Sequence, residues 1–359
     1  MFPLSPHLNR VATATPVNDV HQTFIDFARD SLVDPRARRL FDRMAERSGV
    51  SHRFSTLEPA RVKGPALDSG GFYKRGAFPG TAARMAVYER EATALAVAAV
   101  EKLDVGAITH LVVASCTGFT APGLDQRIAE AMGLGGSLQR TLVGFMGCYA
   151  TVPALRLAYQ AVLADPAARV LVVSLELCTL HLQDTQDLET VLSFLIFGDG
   201  AAACLVTSEP HGFAIDGFHA TTLPDTQDFI TWRIGDQGFD MHLSGKVPTA
   251  IGTALRAEAD RNDEGGILAG LDPSEIALWA VHAGGRTVLD AVEQALRLPA
   301  HALDHSRAVL RDIGNVSSAT LGFVLARMLE DTTVGAGGPG LALAFGPGLC
   351  AETFRFHRA

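Results

Sequence analysis

Apolar runs and amphipathic runs alternate along this chain in a repeated order. "ITHLVVASCTGFTAPGLDQRIAEAMGL" (108–134) reads as a short buried strand, a Gly-containing turn, then a helix with apolar residues at 3.6-residue spacing. "IALWAVHAGGRTVLDAVEQALRL" (276–298) carries the same pattern. A second unit follows in each case, "VGFMGCYATVPALRLAYQAVL" (143–163) paralleling "RDIGNVSSATLGFVLARMLED" (311–331). A third strand closes each set, "RVLVVSLEL" (169–177) and "GLALAFGPG" (340–348). From Ser115 to Cys148 is 33 residues, from His282 to Asn315 is 33 residues, and the two sets are offset by 167. Register held over three successive units points to a duplicated α/β chain rather than chance recurrence of strand-turn-helix.

The strands show almost no polar alternation, so both faces should be covered by helices. The pattern therefore predicts five layers: helices, sheet, helices, sheet, helices. The N-terminal half is expected over 1–220 and the C-terminal half over 221–359. Around the repeat, residues 19–48 read as a helix pair and 81–103 as one long helix. "FLIFGDGAAACLVT" (194–207) reads as two strands about a bend at Gly198, Asp199 and Gly200. The more polar segment 208–275, rich in turn signals, is expected to link the halves and supply a lid or tunnel wall.

Composition narrows the function. The chain has 359 residues, 48% hydrophobic and 19% charged, which suits a globular protein with a large core. A formal net charge of −9 without a Lys/Arg-rich run argues against nucleic-acid or anionic-membrane binding along the chain. No apolar stretch is long enough to span a bilayer, and the N-terminus lacks the pattern of a secretory signal. Five widely spaced cysteines (Cys116, Cys148, Cys178, Cys204, Cys350) argue for a reducing compartment, so a cytoplasmic location is expected. No C-x-x-C or H-E-x-x-H occurs, and no metal site is expected.

The candidate chemistry lies at the strand-to-helix junctions, where open α/β sheets bind ligands. Cys148 and Asn315 are equivalent by the repeat, and His282 follows the strand "ALWAV". Taken singly, each has a plain structural reading: a small buried apolar residue, a core histidine, a helix N-cap. Together they are the residue types of acyl transfer. A thiol at a helix N-terminus meets the positive end of the macrodipole and free N–H groups, and a neighbouring His⁺ would lower its pKa further. Cys148 is therefore expected to be an activated nucleophile.

"GFMGCYA", "WAVHAGGRTVLD", "GNVSSATLGFVL", "IFGDGAAA" and "AFGPGL" resemble, in order, the signature segments of the type III polyketide synthases, the chalcone-synthase-like enzymes of the thiolase superfamily. "SCTGFTAPGLDQRI" and "TAARMAVYEREA" resemble their bacterial members, and the resemblance covers roughly 20–356. It implies a thiolase-like fold and decarboxylative Claisen condensation of malonyl-CoA onto an acyl-CoA starter, followed by cyclisation. By the resemblance, Cys148 carries the acyl group, and His282 and Asn315 polarise the malonyl thioester carbonyl. Phe197 is the gatekeeping aromatic, Ser317 lines the cavity, and Arg43 and Arg47 contact coenzyme A phosphates, while a third basic position is occupied by Leu40. The family acts as homodimers without metal or bound cofactor, with coenzyme A thioesters as substrates.

Departures from the plant pattern point to a more apolar pocket. A second gatekeeping aromatic falls on Met241, pocket positions often occupied by Thr fall on Cys116 and Cys178, and a subunit-crossing Met falls on Ala121. A medium- or long-chain fatty acyl-CoA starter, yielding a pyrone or resorcinol, is the expectation. The alternative is a ketoacyl-ACP synthase III-like enzyme performing a single condensation on a carrier protein. His282-Ala-Gly-Gly departs from the His-Gln-Ala-Asn usual there, and no basic patch for an acidic carrier stands out in the sequence.

Overall fold

A computed structural model describes residues 5–259, 266–333 and 335–359. The uninterrupted apolar runs are strands: His110–Ser115 lies parallel to Gln139–Gly144 and Val170–Leu177, and Leu278–Val281 lies parallel to Pro339–Gly346. Every residue of Val170–Leu177 is buried, and its pleat divides two cores. Val170 and Val172 point toward the helix Thr151–Ala164, while Leu171, Val173, Leu175 and Leu177 point toward the helices Thr81–Val100 and Leu124–Ala131. A strand buried on both faces has no use for polar alternation.

Among the described residues the main sheet has nine strands, in the spatial order Leu278–Val281, Pro339–Gly346, Cys350–Arg358, Phe213–Thr222, His7–Ala14, Asp199–Thr207, Val170–Leu177, His110–Ser115, Gln139–Gly144. The two half-sheets meet where His7 pairs with Ala214 and Leu8 with Phe213. The helices Thr151–Ala164 and Thr320–Glu330 each contact strands of both halves and form the middle layer. The helix Asp304–Asp312 packs on Leu278–Val281, with Arg286–Leu296 against it and Val247–Ala259 beyond. The five-layer thiolase-like arrangement expected from the repeat is the one observed.

Two local expectations need correction, and one strand was not expected. Residues 194–207 hold one strand, Asp199–Thr207, preceded by the short helix Leu188–Ser193; the stretch between is pinned by Arg53, whose guanidinium donates to the Phe194 and Phe197 carbonyls. The unit before Asn315 is not a strand like the one before Cys148. It is a helix, Asp304–Asp312, burying Ser306, Val309 and Leu310 at helical spacing. The strand His7–Ala14 was not foreseen, because its polar Asn9 and Arg10 hide a segment paired on both sides.

The 208–275 segment supplies the strand Phe213–Thr222, a hairpin of Ile230–Gly235 with Gly238–Leu243, and the helix Val247–Ala259; residues 260–265 lie outside the described residues. The hairpin places Trp232 opposite Met241.

Candidate active site

The turn carrying Cys148 is set by its neighbours. After Gly144 the chain reverses through Phe145 at φ 59° and Gly147 at φ 75°, then makes a single 3₁₀ turn, Gly147–Tyr149, leading into the helix Thr151–Ala164. A Cβ at Gly147 would sit 2.5 Å from Cδ of Pro347, and one at Gly346 would sit 2.6 Å from Tyr149 and 3.3 Å from the Cys148 amide nitrogen. The end of the strand Pro339–Gly346 and the Pro347 that follows it are thus pressed against the turn that carries Cys148. Cys148 Sγ lies 3.6 Å from Ser317 Oγ, and Cys116 Sγ lies 3.3 Å from the same hydroxyl.

Asn315 is held by its own helix start. Its Oδ1 accepts from Ser317 N–H at 2.8 Å and from Thr320 Oγ1 at 3.2 Å, which assigns the carbonyl side of the amide inward. Its Nδ2 donates to the Gly284 carbonyl over a long 3.3 Å. His282 is buried, and neither ring nitrogen has a hydrogen-bond partner among the described residues. Burial pushes its pKa down to about 3, so the ring is a neutral imidazole.

Burial pushes the Cys148 thiol up to about 11, against hydrogen bonds from Ser317, Asn315 and its own backbone that act the other way. Cys148 as a residue is half-buried in the cavity wall, and the α-helix proper begins only at Thr151, past the single 3₁₀ turn that carries the thiol.

A cavity of about 530 Å³ joins these groups. Cys148, His282, Asn315, Ser317, Cys116, Cys178, Phe197 and Met241 all line it, so the structure assembles the residues singled out in the sequence from both halves. Arg47 lines it too, beside Met44, Ser48 and Arg286. Arg43 does not; it is exposed on the outer face of the helix Pro35–Glu46.

Other residues at the site carry no motif in the sequence. Glu176 is wholly buried behind Cys116, accepting from Cys116 N–H, Thr117 Oγ1 and Ser318 Oγ. Burial raises its pKa to about 7 despite those donors. Within "VVSLEL" it stands alone as an acid in an apolar strand, the one signal that could have marked it. Trp232 lines the cavity with its Nε1–H donating to the Cys116 carbonyl at 2.8 Å. Its placement depends on the hairpin, which the sequence did not resolve.

Two family models match the chain: chalcone and stilbene synthases, N-terminal domain, over residues 7–210, and chalcone and stilbene synthases, C-terminal domain, over residues 216–359. The chain is 32% identical to the alpha-pyrone synthesis polyketide synthase-like Pks18 of Mycobacterium tuberculosis, over 96% of this chain and 89% of that protein. It is 33% identical to the 1,3,6,8-tetrahydroxynaphthalene synthase of Streptomyces peucetius subsp. caesius, over 95% of this chain and 90% of that one. The crystal structure of the corresponding synthase from Streptomyces coelicolor A3(2) superposes with a TM-score of 0.86 at 28% identity, covering 99% of both chains. The fold and a cysteine–histidine–asparagine cavity define a condensing acyltransferase. The chain belongs to the chalcone and stilbene synthase family, and it is a type III polyketide synthase. Among the described residues, no helix is long and apolar enough to cross a membrane.

Proposed function

We propose that Cys148 accepts an acyl starter from coenzyme A and that His282 and Asn315 drive decarboxylation of malonyl-CoA in the same cavity. The observation that carries this reading is His282, whose two partnerless nitrogens sit in the wall shared with Cys148 and Asn315. A buried ring without a partner costs stability unless a ligand uses it.

As the Cys148 sulfur bonds to the acyl carbon of the starter thioester, its proton passes to His282 and from there to the departing coenzyme A sulfur, giving an acyl-enzyme and free coenzyme A. Loss of CO₂ from malonyl-CoA then leaves an electron pair delocalised onto the thioester oxygen. N–H donors of His282 and Asn315 stabilise that enolate in a site walled from water. The carbanion attacks the acyl carbonyl, and the Cys148 sulfur leaves as the carbon–carbon bond forms. Phe197 gates the passage, Ser317 supports the sulfur, and Cys116, Cys178 and Met241 shape the pocket. Arg43 and Arg47 hold coenzyme A phosphates. The working form is a homodimer in the cytoplasm with no resident cofactor, its halves divided near residue 220.

The starter we favour is a medium- or long-chain fatty acyl group, closing to a pyrone or resorcinol. Leu192, Leu195, Ile230, Trp232, Leu243 and Ile251 stand in the wall of the cavity that Cys148 and Arg47 also line. Such a wall rewards each buried CH₂ by about 0.8 kcal/mol. A competition assay with malonyl-, hexanoyl-, lauroyl- and coumaroyl-CoA tests this. kcat/KM rising from the C6 to the C12 chain supports it; a flat or falling response, or preference for malonyl or coumaroyl starters, overturns it.

A further inference from the structure

We propose that the outer face of the helix Pro35–Glu46, with Arg47 at its end, is a docking surface for an acidic carrier protein that delivers the acyl chain on a phosphopantetheine arm. This rests on the reading of Cys148 as the acyl acceptor. The sequence showed no such patch because its arginines are interspersed with Asp34, Asp42 and Glu46. The helix separates them.

Arg36, Arg39, Arg43 and Arg47 are spaced by three, four and four residues, which aligns them on one helix face. All four are exposed, and among the described residues none of them makes an ion pair with an acid. The nearby acids are mostly engaged. Asp34 caps the helix by accepting from Arg36 N–H, Asp42 is taken by Arg29 behind the face, and Glu46 is left as the exposed acid on the helix. Leu40 and Met44, exposed by 39% and 41%, run between the arginines, and Val33 before the helix is exposed by 79%. A row of arginines interleaved with exposed leucine and methionine has the composition of a protein interface.

Position ties this face to the chemistry. Met44 and Arg47 line the cavity itself, while Arg36 lies eleven residues back, about 16 Å along the helix. Coenzyme A phosphates need cations near the mouth, and Arg43 and Arg47 provide them. They do not account for Arg36, Arg39 and the apolar residues beside them. A small acidic protein does, because its surface meets the whole row while its pantetheine arm enters past Met44. In a chain of net charge −9, a face of this sign selects a partner more acidic still. Transfer is then thioester exchange: the Cys148 sulfur bonds to the acyl carbon, the carrier's pantetheine sulfur leaves, and it takes up the proton that Cys148 gave to His282.

The test compares two donors of one acyl chain, the chain being whichever CoA thioester turns over fastest. One donor is that CoA thioester; the other is the acidic acyl carrier protein of a bacterial dissociated fatty acid synthase, loaded with the same chain. Acylation of the full-length enzyme is followed by intact mass in wild type, in Arg36→Glu/Arg39→Glu and in Val33→Asp. The expected result is loading from the carrier that weakens with added salt and falls at least tenfold in both variants. Loading from the CoA thioester should stay within about twofold, with an unchanged circular dichroism spectrum. The proposal is overturned if wild type takes no chain from the carrier, if charge reversal leaves carrier loading unchanged, or if both donors fall together. It is equally overturned if the row instead binds anionic phospholipid vesicles, with sedimentation lost in the variants. Absence of acylation from both donors would instead overturn the assignment of Cys148, which separates the two failures.

Discussion

Phe197 and Asn315 face one another across an isolated parallel bridge: Asn315 N–H donates to the Ile196 carbonyl at 2.7 Å, and Gly198 N–H donates to the Asn315 carbonyl at 2.9 Å. The backbones that carry Phe197 and Asn315 into the cavity wall are therefore tied to each other by two hydrogen bonds. Gly314 makes the approach possible. Its φ is +80°, and a Cβ there would sit 2.6 Å from the Ile196 oxygen and 2.9 Å from Arg53 Cγ. Gly314→Ala should destabilise the fold by roughly 1–3 kcal/mol and depress malonyl-CoA decarboxylation at 25 °C in the protein that remains folded. Thermal melting and CO₂ release measure the two effects; an unchanged melting temperature would show that the bridge yields freely.

Cys148→Ala should abolish acyl loading and product formation while leaving circular dichroism unchanged. In the unliganded wild type, alkylation by iodoacetamide should be slow at pH 7 and climb steadily with pH, because burial holds the thiol near 11. Ser317→Ala removes a hydrogen bond that lowers that pKa, so labelling at pH 8 should slow by about fivefold, the worth of about 1 kcal/mol. Fast labelling at neutral pH would mean that the resting sulfur is already a thiolate.

His282→Ala and Asn315→Ala should each slow decarboxylation by about 10²–10³, the scale for one lost oxyanion donor. Radiolabelled malonyl-CoA reports this directly. Equal rates in wild type and either variant would remove that residue from the step.

His282 also predicts acid sensitivity. Its folded pKa near 3 lies below the ordinary 6.5, so below pH 6.5 the unfolded chain binds a proton that the folded chain does not. Stability is therefore lost as pH falls from 6.5 toward 3, at up to about 1.4 kcal/mol per pH unit from this group. Denaturant titrations at pH 7.5 and 5 should show a smaller loss for His282→Gln than for wild type. Buried His21 and His181, also held low, keep some slope in the variant.

A homodimer is expected in solution, with residues 117–123 near its interface. Phe119 and Leu142, each exposed by 43% in the single chain, are the apolar residues it would cover. Light scattering at micromolar concentration should give twice the 38.0 kDa chain mass; a monomer mass would refute it.

The sequence by itself determined the layers, because a strand buried on both faces must be apolar throughout and a helix between sheets must be apolar around most of its surface. It also pointed to Cys148, His282 and Asn315, since a 33-residue spacing repeated at an offset of 167 pairs Cys148 with Asn315 and Ser115 with His282, and the structure brings all three into one cavity wall. Glu176, Trp232 and the Arg36–Arg47 face were decided only by the tertiary structure. Glu176 takes its meaning from Ser318, 142 residues away, and Trp232 from the Cys116 carbonyl, 116 residues away. The surroundings of the Cys148 thiol were decided there too: local sequence supplies the helix and the thiol, but the burial that pushes its pKa up, and the Ser317 and Asn315 hydrogen bonds that act the other way, come from the folded chain.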